Sequence, residues 1–246
     1  MKVMEQSSNH YGSEKPSWGN FVWGVFFTFI LVPILSGIIV EIPSELYSGK
    51  LLNSFDSLTK SSIAAMDMFV MTILELAITC LFIYRYKPIR ELIFPAVSFS
   101  PFKFRKTYLY FVLSFFIIFL ANIILDYVFP SATKEQLNSL SLENIWSEPG
   151  IIIFMSIITT SFIVPVYEEV IFRGIILRFF HSRFSFSTSA ICSSFLFGAA
   201  HFYSIGIMIS AFLAGLILSI LYRKTNSILP GILFHMINNL LSYFVS

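Results

Sequence analysis

The sequence predicts an all-α polytopic membrane protein with about seven transmembrane helices, within a range of roughly six to eight. Three observations carry that prediction. The chain is 56% hydrophobic and 12% charged, with a mean hydropathy of +0.79. Soluble domains carry about 25% charged residues, so lipid is the solvent for most of this chain. Apolar stretches of roughly 20 residues, the length that crosses a bilayer, recur along the sequence. Lys and Arg concentrate in alternate connections between those stretches, as they do in multi-pass proteins.

On this ruler the spans fall at roughly 19–40, 67–85, 107–129, 150–180, 187–203, 204–222 and 227–245. Residues 1–17 are polar and mixed in charge. The first apolar run, Phe21 to Val40, is too long for a signal-peptide core and lacks a small-residue cleavage site, so it is expected to be retained as a span. Pro33 is expected to kink it. The fourth stretch is too long for one straight crossing at about 1.5 Å per residue, and Pro165 is expected to break or kink it just before a pair of glutamates. The fifth and sixth stretches are short and nearly abut.

The connections orient the bundle. Arg85 to Lys106 holds Arg85, Lys87, Arg90, Lys103, Arg105 and Lys106 against the single acid Glu91, so that side is expected to be cytoplasmic. Alternation then places 41–66 and 130–149 outside, and the Arg178–Arg183 loop and Arg223–Lys224 turn inside. The amino-terminal tail is therefore expected in the cytoplasm and residue 246 outside, in the plasma membrane. The two outer connections are rich in Ser and Asn, and short interfacial helices are expected there. The net charge of +2 is too small to point to nucleic acid. Cys80 and Cys192 both lie in apolar stretches, which suggests neither a disulfide framework nor a Cys-based metal site.

Ionisable groups at bilayer depth are costly unless paired or functional. Asp126 lies near the outer end of its span and is expected to reach water, whereas Glu75 is deep and needs an internal partner or a proton. Ala211, Gly215 and Ser219 recur every fourth residue and read as a close-packing face. Three further groups stand out. In Glu168-Glu169-x-x-x-Arg173, Glu169 and Arg173 share a helical face and can pair, while Glu168 lies about 100° away with no cation on its own face. Phe197-Gly198-Ala199-Ala200-His201 puts a histidine after small residues. His235-Met236-Ile237-Asn238-Asn239 puts His235 and Asn239 on one face.

Depth connects the three. Measured inward at the helical rise, Glu168 lies ~18 Å above Phe180, His201 ~20 Å above the start of its span and His235 ~12 Å above Ser227. A carboxylate, two imidazoles and a carboxamide thus fall in one layer within the membrane. A carboxylate beside a neutral imidazole can hold and deprotonate a water. A second imidazole and a carboxamide can donate hydrogen bonds to a developing oxyanion. Two His and one Glu also form a known catalytic zinc set, here Glu168, His201 and His235, but no His-Glu-x-x-His is present. No serine sits in a nucleophile-elbow pattern, and neither cysteine shares a recognisable motif with a histidine.

Glu168-Glu169-x-x-x-Arg173, then Phe197-x-x-x-His201, then His235-x-x-x-Asn239 resembles the three-part signature of the CAAX protease and bacteriocin-processing (CPBP, or ABI) intramembrane proteases. The likeness runs from about Gly150 onward and shows no departure from the signature. It divides the chain into residues 1–149, a tail and three spans, and residues 150–246, a protease core. It implies a helical core around an intramembrane catalytic cavity open to membrane and water. By that resemblance Glu168 is the general base with His201 as partner, His235 and Asn239 stabilise the oxyanion, and Glu169 and Arg173 support them. The family is often described as metalloproteases, whereas its eukaryotic prenyl-protein relatives resemble glutamate-dependent enzymes, so zinc is a possible cofactor rather than a required one.

The resemblance implies an intramembrane endopeptidase with membrane lipid around it and a peptide or membrane protein as substrate. Bacteriocin maturation, self-immunity and peptide-signal processing are the roles associated with such proteins. Two readings compete with it. One is a non-enzymatic membrane scaffold or immunity protein. The other is a proton-coupled transporter, which paired inverted repeats would support; the sequence contains no internal repeat.

Overall fold

The computed structural model describes residues 16–54 and 59–245, with side chains omitted for 46–54 and Val245. The polar tail expected in the cytoplasm, residues 1–15, lies outside the described residues. Every described element is helical. In chain order they are α1 (Trp18–Phe26), α2 (Val32–Ser54), α3 (Lys60–Arg85), α4 (Lys87–Ile93), α5 (Arg105–Val128), α6 (Ala132–Ser139), α7 (Gly150–Ile158), α8 (Val164–Glu169), α9 (Arg178–His181), α10 (Phe186–Ala200), α11 (Ile205–Thr225) and α12 (Leu229–Val245).

Five helical rods are long and apolar enough to cross a membrane: Trp18–Glu45, Lys60–Arg85, Arg105–Val128, Gly150–His181 and Ile205–Thr225. Helix α10, at 15 residues, and α12, at 17, are shorter, about 22 and 26 Å at the α-helical rise. Each of the seven expected stretches is therefore helical. Outside the spans, α6 and a 3-10 turn at Ile145–Ser147 occupy the 130–149 connection.

Both prolines expected to kink their helices follow a π-helical turn. Pro165 does not break its helix, and Gly150–His181 is continuous over 32 residues. A π-helical turn at Thr159–Ile163 precedes Pro165, and another at Phe27–Leu31 precedes Pro33. Proline removes a donor and its ring crowds the carbonyl four residues back. A widened turn accommodates both defects without ending the helix. A third π-helical stretch, Val170–Leu177, follows the glutamate pair. The first connection also differs from expectation. Residues 41–54 continue α2 rather than forming a separate short helix, with Pro43 inside the helix.

Helix α10 doubles back into α11, and the two pack backbone to backbone. A Cβ at Gly198 would stand 2.7 Å from the Met208 carbonyl, and one at Gly215 would stand 2.9 Å from Ser194 Cβ. The small-residue face read from the sequence is thus a helix contact. Helix α5 packs against α11, α3 against α2 and α7, and α12 against α8 and the π-helical turn at Thr159–Ile163. The main core gathers Phe21, Ile89, Ile171, Ile175, Phe179 and Phe197 at the end of the bundle where the basic connections meet.

Glu75 finds the partner its depth requires, because the Ser36 hydroxyl donates to its carboxylate at 3.1 Å. It also lines a cavity of about 490 Å³ between α2 and α3, with Glu41, Glu45 and Asp67. Glu168 is not among that cavity's lining residues. Asp126 is exposed, as expected from its place near a helix end, and both cysteines are free.

Candidate active site

Three elements supply the polar groups. The rod Gly150–His181 carries Glu168, Glu169 and Arg173. The carboxyl end of α10 supplies His201, and α12 supplies His235 and Asn239.

Glu169 and Arg173 are fully buried and paired at 2.8 Å, one helical turn apart. Arg173 also donates to the Gly215 carbonyl at 3.1 Å, and its guanidinium stands 4.5 Å from the Phe197 ring centre. Charge, hydrogen bond and ring face together stabilise a cation that the lipid-like interior would otherwise reject, although its Nε has no hydrogen-bond partner among the described residues. One Glu169 oxygen, Oε2, has no hydrogen-bond partner among the described residues. A Cβ at Gly231 would reach to 3.1 Å of that oxygen, so this glycine is what lets α12 lie against the buried carboxylate.

His201 is not inside its helix, as the sequence spacing suggested. Helix α10 ends at Ala200, and His201 is its cap, with φ −98° and ψ 48°. Its Nδ1 lies 2.8 Å from the Phe197 carbonyl. That carbonyl belongs to the last turn, where intrahelical donors run out. A carbonyl only accepts, so Nδ1 carries the hydrogen, and in the neutral ring Nε2 presents its lone pair. Nε2 faces Glu168 Oε1 at 3.7 Å.

His235 sits between the two glutamates. Its Nε2 is 3.6 Å from Glu168 Oε2, and its Nδ1 is 3.4 Å from Glu169 Oε1. The latter contact lacks the alignment of a hydrogen bond. Glu168 thus offers one oxygen to each imidazole. The three side chains are 16% (Glu168), 19% (His201) and 9% (His235) exposed, against none for Glu169 and Arg173. The Glu168 side of the cluster is reachable from outside, and the Glu169–Arg173 side is sealed.

Asn239 lies one turn from His235, but its amide donates to the Thr160 carbonyl at 3.0 Å. One turn further, the Tyr243 hydroxyl meets Thr160 Oγ1 at 2.8 Å. The face of α12 therefore zips onto the widened turn before Pro165. Only one of the two Asn239 amide hydrogens is taken by that carbonyl.

Sequence reasoning missed three supports. Phe197 opens the second motif, and its ring centre lies 4.6 Å from that of His201 and 5.8 Å from that of His235. Gly231 and the Gly215 carbonyl left only the faint signal of glycines in apolar helices. Among the described residues no three His, Cys, Asp or Glu side chains are arranged to hold a metal ion. No step below passes through a metal.

Residues 150–241 match the family model described as type II CAAX prenyl endopeptidase Rce1-like. These residues are similar to that CAAX protease family. The matched segment contains all six residues of the cluster and both π-helical stretches around the glutamate pair. The chain is also similar to an Escherichia coli protein described as an uncharacterized 24.3 kDa protein. Identity is 33% over 88 residues, which is 34% of this chain and 41% of that protein, so the match spans about two fifths of the relative's length. No solved structure matches the chain.

Proposed function

We propose that the chain is an intramembrane endopeptidase that hydrolyses a membrane-associated peptide or protein, with Glu168 as general base. The observation that carries the reading is the pairing of Glu168 with two imidazoles on other helices, at 3.7 Å to His201 and 3.6 Å to His235. These separations are too long for direct hydrogen bonds and bring both imidazoles up to the carboxylate that would hold the water. Glu168 Oε1 and the His201 lone pair both accept. A water that donates to Glu168, with His201 alongside, keeps its oxygen lone pair free for attack on a carbonyl carbon.

In that reading the water oxygen bonds to the carbonyl carbon and its proton passes to Glu168. His235 and the free amide hydrogen of Asn239 donate to the oxyanion. As the C–N bond breaks, protonated Glu168 returns its proton to the leaving nitrogen. Glu169 and Arg173 hold the helix in place and flank His235.

Residues 150–246 form the protease core, and residues 1–149 add the tail and three spans. The family resemblance associates the activity with bacteriocin maturation or self-immunity, or with peptide-signal processing. The short loops and compact chain favour a plasma-membrane location, and the Lys and Arg bias places the basic connections in the cytoplasm. That placement is supported by hydrogen bonds that bring three of those connections to one end of the bundle.

The test is cleavage of a candidate membrane peptide by Glu168→Gln and His201→Ala in native membranes, with and without the wild-type protein. Loss of cleavage with folding intact is expected. Unchanged cleavage by both variants removes the mechanism.

A further inference from the structure

The basic connection between α3 and α5 has two distinct sides. It runs from Arg85 through α4 and two 3-10 turns, Phe94–Ala96 and Ser100–Lys103, to Arg105. On its inner side α4 buries Ile89, Leu92 and Ile93. On its outer side Lys87 pairs with Glu91 at 3.7 Å, which accounts for the one acid of the segment. Lys103, Arg105 and Lys106 are exposed and form no ion pair or hydrogen bond among the described residues. Phe99 and Phe104 stand beside them, 74% and 63% exposed.

Unpaired cations interleaved with exposed aromatic rings, at the level where two apolar spans end, fit a lipid headgroup layer. Rings settle at the boundary of the hydrocarbon, and Lys and Arg reach the phosphates. A soluble anion would use the charges but would leave the rings without a role.

The inner side of the same segment is fastened to both helices of the candidate site. Arg178 Nε donates to the Leu92 carbonyl at 2.5 Å. Ser227 donates to the Ser98 carbonyl at 2.8 Å, and the Ile228 amide to the Ala96 carbonyl at 2.9 Å. Arg178 belongs to the rod that carries Glu168, while Ser227 and Ile228 lead directly into α12 and His235.

We propose that residues 86–106 form a binding surface for anionic phospholipid headgroups, held by Lys103, Arg105 and Lys106. Lipid bound there stiffens the junction between the helices carrying Glu168 and His235. The charges attract the headgroup, the rings fix the depth of the segment, and the three tethers pass its rigidity inward. This reading is independent of the proposed peptidase activity, because its readouts are lipid retention and thermal stability.

The experiment compares the full chain with the variant K103Q/R105Q/K106Q. Lipid retained after detergent extraction is read by native mass spectrometry, and melting is read in phosphatidylcholine discs with and without phosphatidylglycerol. The wild type is expected to retain phosphatidylglycerol over phosphatidylcholine and to melt higher when phosphatidylglycerol is present. The triple variant is expected to melt like the wild type in phosphatidylcholine and to gain nothing from phosphatidylglycerol. Its preference is expected to fall on the order of tenfold to a hundredfold, since each cation near the surface contributes about 1 kcal/mol. Lys134→Gln, at the other end of the bundle, is expected to keep the wild-type preference. A triple variant that keeps preference and melting gain, or a wild type with no preference, overturns the proposal. So does inorganic phosphate that reproduces the stabilisation in phosphatidylcholine discs, which would make the surface a soluble-anion site.

Discussion

His201 Nε2 faces Glu168 Oε1 across 3.7 Å, from a residue that caps its own helix. The cap matters to the chemistry. The Phe197 carbonyl fixes the hydrogen on Nδ1 and so aims the opposite lone pair at the carboxylate.

Glu168→Gln is expected to lower the cleavage rate by about 10²–10⁴, the range for loss of a general base. His201→Ala is expected to fall in the same range. The double variant is expected to lose little more than either single one, because residues acting as a unit are not additive. Single-turnover assays of the three proteins check this. Independent, multiplying losses would show that the two residues do not share a water.

Arg173→Met is expected to destabilise strongly, by about 3–5 kcal/mol, because it leaves the buried Glu169 carboxylate without its cation. Glu169→Gln with Arg173→Met is expected to recover part of that loss, as removal of both charges does for buried pairs. Thermal unfolding in detergent measures both, and equal melting of the single and double variants would contradict it.

Gly198→Ala is expected to cost about 1–3 kcal/mol. The new Cβ would stand 2.7 Å from a backbone carbonyl, which cannot swing aside as a side chain can. His201 follows three residues later, so cleavage is expected to fall with stability. Gly150→Ala meets nothing within 4 Å and serves as the control, with melting and cleavage like the wild type.

Asn239→Ala is expected to lower kcat by about 10²–10³ with KM little changed if its free amide hydrogen serves the oxyanion. Loss of the Thr160 bond alone is expected to cost only about 1 kcal/mol of stability. A melting shift with kcat preserved would assign Asn239 to holding α12 in place.

Glu75→Leu is expected to leave cleavage unchanged and to alter stability by less than about 1 kcal/mol. Ser36 would lose the carboxylate but would still donate to the Pro33 carbonyl at 3.0 Å. Loss of cleavage in this variant, with melting intact, would tie the cavity between α2 and α3 to the reaction.

The sequence by itself determined the helical class and the layer in which the polar groups fall. Apolar length and Lys/Arg bias are properties of single segments, read against a bilayer of known thickness. It also determined the Glu169–Arg173 pair, because an i,i+4 spacing on a helix is local geometry. Only the tertiary structure decided the rest. Whether a proline breaks or widens a helix depends on what packs around it, and here α12 zips onto the widened turn through Asn239 and Tyr243. Where α10 stops depends on its close packing against α11, and that stop makes His201 a cap with a fixed tautomer. The position of His235 between two carboxylates joins residues more than 60 apart in the chain. No local periodicity encodes such a meeting, which arises only when helices pack and the glycine at 231 lets α12 close on Glu169.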